Sequence, residues 1–103
     1  MAAAETATVR REGAALVLAG RLDRTAAAAL WPPAQPLLAG AETLDLGGVE
    51  ALDSAGLALL AELAARIAAS GRRPSLAGEP PGLAELRAAY RMDPNLDFAG
   101  AAP

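Results

Sequence analysis

Asp53-Ser54-Ala55-Gly56 stands between an apolar strand that begins with Leu44-Asp45-Leu46 and a segment with helical periodicity. A carboxylate and a hydroxyl at a helix N-terminus sit where backbone N–H groups and the macrodipole favour negative charge. Three kinds of chemistry suit that place: capping the helix, carrying a phosphate, or meeting a partner's surface. As a cap, the Ser54 Oγ accepts a hydrogen bond from an N–H in the turn 55–57, worth about 1 kcal/mol. Asp53 adds favourable charge at the same end, and Gly56 lets the backbone pass close to a neighbour. As a modification point, Ser54 would gain about −1.5 to −2 charges, which the helix end favours and Asp53 opposes. Nucleophilic catalysis has no support, because the chain holds no His to activate a serine and the segment lacks a Gly-x-Ser-x-Gly pattern.

Two further residues have double readings. Asp23 reaches the elbow only where the second strand ends beside the third; otherwise it is a turn carboxylate capping the next helix. Trp31, the single tryptophan, is a core or boundary anchor if buried and the strongest interface candidate if exposed.

The elements that position these residues follow from periodicity and turn residues. Thr6 to Arg10 reads as an edge strand, Arg11-Glu12-Gly13 as a turn, and Ala14 to Ala19 as a short strand apolar on both faces, the two strands pairing as a hairpin. Gly20-Arg21-Leu22-Asp23 ends the second strand, and Thr25 is expected to cap a helix over Ala26 to Trp31. Pro32, Pro33 and Pro36 predict two short helical pieces, 25–31 and 33–39, with a kink between them and Gly40 as terminator. Glu42 to Leu46 reads as a strand. Leu57, Leu60, Leu63, Ala64, Ile67 and Ala68 define an amphipathic helix over Ala55 to Ser70, stopped by Gly71. A strand over Arg73 to Ala77, a loop and a helix over Leu83 to Arg91 complete the order ββαβαβα. Leu83, Leu86 and Tyr90 form that helix's apolar face, Pro94 bars its continuation, and Leu96 and Phe98 are expected to fold back onto the core. The strand–helix–strand segment from Leu44 to Ala77 implies a parallel pair, hence an α/β class with a small mixed sheet covered by helices.

Composition narrows the function. The 103 residues suit one domain, with an ordered core over about 6–98, and more than half are apolar. Cys and His are both absent, which removes the usual zinc sites, cysteine nucleophiles and His-based triads; no metal or cofactor is expected. With a net charge of −3 and only Arg10-Arg11 and Arg72-Arg73 as paired bases, the chain shows no basic stripe for nucleic acid, and both pairs read as solvated turn residues. No basic n-region precedes an apolar h-region, and no apolar run approaches the ~20 residues that span a bilayer. A cytoplasmic protein is expected, meeting a membrane only through a partner. A helix N-terminus is all that favours a small-molecule or nucleotide ligand, and no glycine-rich P-loop is present.

Leu16-Val17-Leu18-Ala19-Gly20-Arg21-Leu22-Asp23, Leu44-Asp45-Leu46, Asp53-Ser54-Ala55-Gly56-Leu57 and the Gly71 before the last strand together resemble a STAS domain, the fold of bacterial anti-sigma factor antagonists, over about residues 8–98. Within that superfamily the chain is most similar to the MlaB-like branch, small cytoplasmic subunits of an ABC transporter that moves phospholipid between the Gram-negative membranes. Leu30-Trp31 stands at that branch's spacing from Gly20–Asp23, Ala55-Gly56-Leu57-Ala58-Leu59-Leu60 resembles its elbow helix, and Tyr90-Arg91-Met92-Asp93-Pro94 fits its C-terminal end. The resemblance implies no enzymatic activity, docking on the transporter's ATPase subunit with the permease in the same complex, and a contact at or near Ser54, Trp31, Asp53, Gly56, Leu57 and Asp23. Ser54 in place of a Thr, and the prolines after Trp31, depart from the branch's pattern. The competing branch implies an anti-sigma factor antagonist switched by phosphorylation of Ser54.

Overall fold

In the computed structural model, which describes residues 7–92, the chain runs β1 (Thr8–Glu12), β2 (Ala15–Leu22), α1 (Arg24–Leu37), β3 (Thr43–Leu52), α2 (Ser54–Ala69), β4 (Ser75–Ala77) and α3 (Leu83–Ala89). The order ββαβαβα holds. The strands lie side by side as β1-β2-β3-β4, with β1 antiparallel to β2 and the β2–β3 and β3–β4 pairs parallel. The expected mixed α/β sheet is present, and α2 forms the crossover between the parallel pair β3 and β4.

The hairpin closes where Glu12 pairs with Ala15 across Gly13-Ala14. Gly13 supplies a φ of +58°, the positive angle that a two-residue hairpin needs at its first central position. Arg11 and Glu12 therefore belong to β1, not to the turn. The expected start at Thr6 lies outside the described residues. Arg11 has a structural role: its Nε donates to the Gly13 carbonyl at 2.7 Å, and its Nη1 donates to the Leu37 and Ala39 carbonyls at 2.8 and 2.6 Å. It thereby satisfies carbonyls at the end of α1 that have no helical partner. Arg10 pairs with Glu12 at 2.6 Å and Arg72 with Glu42 at 3.5 Å.

Both central strands outlast their expected ends. β2 continues past Gly20 to Leu22, and β3 continues past Leu46 through Gly47-Gly48 to Leu52. The pairing absorbs irregularities between Val17 and Ala19 and between Gly20 and Arg21. Each gives β3 one extra residue, which explains why its inward positions change parity from Leu44 and Leu46 to Val49. The core lies on one face of the sheet, where Leu16, Leu18, Leu22, Leu44 and Leu46 meet Leu30 and Ala34 of α1, Leu57, Leu60, Leu63 and Ile67 of α2, and Leu83 of α3. Val17 is also buried but on the other face, paired with Arg10 and Asp45.

α1 is one helix with Pro32, Pro33 and Pro36 inside it, where two pieces with a kink were expected. The prolines are exposed, as are Ala28, Ala29 and Pro32, whose carbonyls lose their i+4 donors. Water can serve those carbonyls, and proline's φ suits a helix, so burial of Leu30 and Ala34 keeps the rod continuous. The cap is Asp23, not Thr25, which is exposed. α3 stops at Ala89, two residues short of the expected Arg91. Tyr90, as its C-cap, still donates to the Leu86 carbonyl at 3.0 Å but is 47% exposed, while Leu83 and Leu86 pack on the core. Pro94, Leu96 and Phe98 lie outside the described residues.

Gly56, in the first turn of α2, sets how closely that helix approaches the sheet. A Cβ there would collide with the Leu22 carbonyl oxygen and stand 2.8 Å from Leu22 Cβ and Leu52 Cδ1. A backbone oxygen cannot give way as a flexible side chain can, so Gly56→Ala must push the helix off the strand ends. The expected cost is about 2–3 kcal/mol, seen as a fall in melting temperature on the order of 10 °C or more. An unchanged thermal transition would show that this approach is looser than described.

Candidate functional site

The two central strands end level. Leu22 pairs with Leu52, and the next residue of each strand, Asp23 and Asp53, is the N-cap of the helix that follows. The two caps have the same extended geometry, with φ/ψ of −105°/−172° and −113°/−173°. Asp23 Oδ1 accepts from the Ala26 N–H at 2.9 Å, and Asp53 Oδ1 accepts from the Gly56 N–H at 2.9 Å. The Asp53 N–H donates to the Leu22 carbonyl at 3.3 Å, tying the second handover to the first. Asp23 thus combines both of its sequence readings: it caps its own helix and stands beside the elbow.

Ser54 differs from expectation in one respect. It is the first residue of α2 and not its cap; the Gly56 N–H goes to Asp53, and the Leu57 N–H goes to the Asp53 carbonyl at 2.9 Å. Ser54 is exposed and its hydroxyl is released from capping. The physical reason is that a carboxylate already in β geometry at position 53 reaches the third N–H, while a residue with helical φ/ψ cannot direct its side chain there.

Ser54 stands on the boundary between two depressions of different character. On one side a cleft of about 340 Å³ is lined by Arg21, Leu22, Asp23, Ala51, Leu52 and Asp53. On the other a mainly apolar groove of about 280 Å³ is lined by Ser54, Ala55, Leu57, Ala58, Ala61, Tyr90 and Met92. In each helix the third N–H goes to an aspartate carboxylate, and those two negative charges oppose an anion at the cleft despite the two helix N-termini. Among the described residues no group of His, Cys, Asp or Glu could hold a metal ion, and no helix is long and apolar enough to cross a membrane. What the surface offers is a polar rim next to an apolar groove, the combination found at protein interfaces.

The remaining candidates divide by depth. Gly56 and Leu57 are buried; Gly56 shapes the surface from beneath, while Leu57 also forms part of the groove wall. Neither presents a side chain outward as a contact, because both serve the packing of α2 on the sheet. Trp31 is half-buried against the core, about two turns along α1 from Asp23. The elbow therefore gathers Asp23, Asp53 and Ser54, and Trp31 stands apart on the helical layer. Sequence reasoning missed Ala55, Ala58, Ala61, Tyr90 and Met92 as groove residues. A signal existed: Ala55, Ala58 and Ala61 recur every third residue on the side of α2 not occupied by its leucines.

Comparison with known proteins places this geometry. A family model described as "Mlab, STAS domain" matches residues 6–97. Among solved structures, one described as "Crystal Structure Analysis of Mglu" is similar at a TM-score of 0.53 and 30% identity, over 70% of this chain and 19% of that one. This chain thus corresponds to a small part of a much longer protein in that case. No curated protein matches.

The division of labour at the elbow is measurable in the free protein. Asp53→Ala should cost about 1 kcal/mol of stability through loss of the α2 cap, whereas Ser54→Ala should stay within about 0.5 kcal/mol of the original chain. Denaturant titration of the two variants checks this; equal losses would return the capping role to Ser54.

Proposed function

For a chain that belongs to the MlaB-type STAS domain family, we propose a non-catalytic role as the STAS subunit of a phospholipid-transport ABC system. It docks on the ATPase subunit and supports that subunit's assembly and activity, with the permease in the same complex. In this reading the chain is cytoplasmic and held at the inner membrane only through its partners. The family match over residues 6–97 carries the reading. The elbow supports it: Ser54, exposed and free of capping, can hydrogen-bond a partner while the adjacent groove takes an apolar side chain.

The exposure of Ser54 also favours a second reading, an anti-sigma factor antagonist switched by phosphorylation there. The helix N-terminus favours the added charge, and the Asp53 carboxylate opposes it. A phosphate on Ser54 would adjoin the Asp53 carboxylate, and the Gly56 and Leu57 N–H groups are already engaged by Asp53. Docking needs no such rearrangement.

Isolation of the tagged chain from its host should bring down an ATPase and a permease irrespective of phosphorylation. Ala58→Glu, which places a charge in the groove from an exposed position, should weaken ATPase binding at least about tenfold while leaving the melting temperature nearly unchanged. Ser54→Ala should weaken it more modestly, by about two- to fivefold, as for the loss of one hydrogen bond. Recovery of a serine kinase as the sole partner, with phosphate on Ser54, would establish the second reading instead.

A further inference from the structure

Trp31 has a specific neighbour on the other helix. The Arg66 guanidinium lies 5.1 Å from the centroid of the Trp31 ring. Arg66 is itself held: its Nε donates to Glu62 Oε2 at 3.0 Å, one turn back along α2. Glu62 and Arg66 are both about half exposed, so water leaves either partner alone many other conformations. The indole is packed on the core and half-buried, and the cation lies over one of its faces. Glu62, Arg66 and Trp31 thus form a continuous chain from α2 to α1, and each member restricts the next.

We infer that Arg66, braced by Glu62, is a positioning residue that fixes the Trp31 ring for partner docking. The inference rests on the docking function proposed above, extended from the elbow and groove to the half-buried Trp31 of the neighbouring helix, and adds the group that prepares its ring. An aromatic anchor already held in one orientation loses less side-chain freedom on binding than one that must be ordered at that moment. Arg suits the task better than Lys would, because its planar guanidinium can lie over an aromatic face and donate sideways to a carboxylate at once. Arg66 also stands in the last turn of α2, where its charge favours the helix. Loss of that helix-end charge alone would appear in stability and leave the indole unaffected, and the affinity comparison with and without Trp31 separates positioning from simple cover.

The single tryptophan makes that difference directly observable. In the full chain without partner, Arg66→Met should raise acrylamide quenching of Trp31 fluorescence and lower its anisotropy. Arg66→Lys should fall between Arg66→Met and the original, and Glu62→Gln should shift both readouts in the same direction as Arg66→Met. With purified ATPase, Arg66→Met should weaken binding by about two- to fivefold, the size of an exposed cation–π contact expressed as affinity. In a Trp31→Ala background the same change should have no further effect. Unchanged quenching and anisotropy in folded Arg66→Met would overturn the inference, whatever happened to its melting temperature. An equal loss of affinity with and without Trp31 would overturn the positioning role. Failure of the unsubstituted chain to bind ATPase would overturn the docking function and with it the purpose given to the ring, while the quenching arm would still decide whether Arg66 holds it.

Discussion

The level ending of β2 and β3 is the constraint from which the rest of this structure follows. β3 uses ten residues where β2 uses eight, and two irregularities in the pairing absorb the difference, so that Leu22 and Leu52 arrive opposite one another. Each strand can then turn directly into a helix through an aspartate. The helices start side by side only because Gly56 lets α2 approach the Leu22 carbonyl with no Cβ between them. A shift of either strand by one residue would turn its inward leucines to the opposite face and separate the two caps. The packing of the core and the presentation of Ser54 are thus set by the same few contacts.

Much of this was legible in the sequence, and the failures have identifiable causes. Leu44 and Leu46, the leucine face of α2 and the strand–helix–strand order were readable because period and burial agree there. The length of β3 was not, since Gly47-Gly48 looks like a strand terminator and its bulge is set by a partner strand distant in sequence. Three prolines suggested a broken α1, but they fall on its exposed side and the buried Leu30 and Ala34 outweigh them. The elbow was located correctly and its inner roles were exchanged: Asp53 caps, and Ser54 is presented. Either residue type is a good cap, so only backbone geometry could separate them. Spacing put Tyr90 on the apolar face of α3, but as the C-cap of so short a helix it stands 47% exposed and lines the groove.

The exchange of roles bears on function. A capping serine would be committed to its own backbone, and removing it would disturb fold and contact together. With Asp53 as cap, the hydroxyl can change its partner without cost to α2. The surface around it is divided, with carboxylates and Arg21 on one side and small apolar residues with Tyr90 and Met92 on the other. A partner helix could set an apolar residue in the groove and a polar one against Ser54, and Trp31 lies farther along the same helical layer. The elbow's two aspartates are themselves engaged as caps, each accepting from a backbone N–H of the helix that follows it.

Amide hydrogen exchange of the chain, alone and mixed with the purified ATPase proposed as its partner, tests the central claim most directly. The docking account predicts slowed exchange on binding over the start of α2, residues 54–61, around Tyr90 to Met92 and around Trp31 in α1, with little change on β1 and the Arg10 face of the sheet. Protection confined to that sheet face, with the elbow and groove exchanging as in the free chain, would contradict the account.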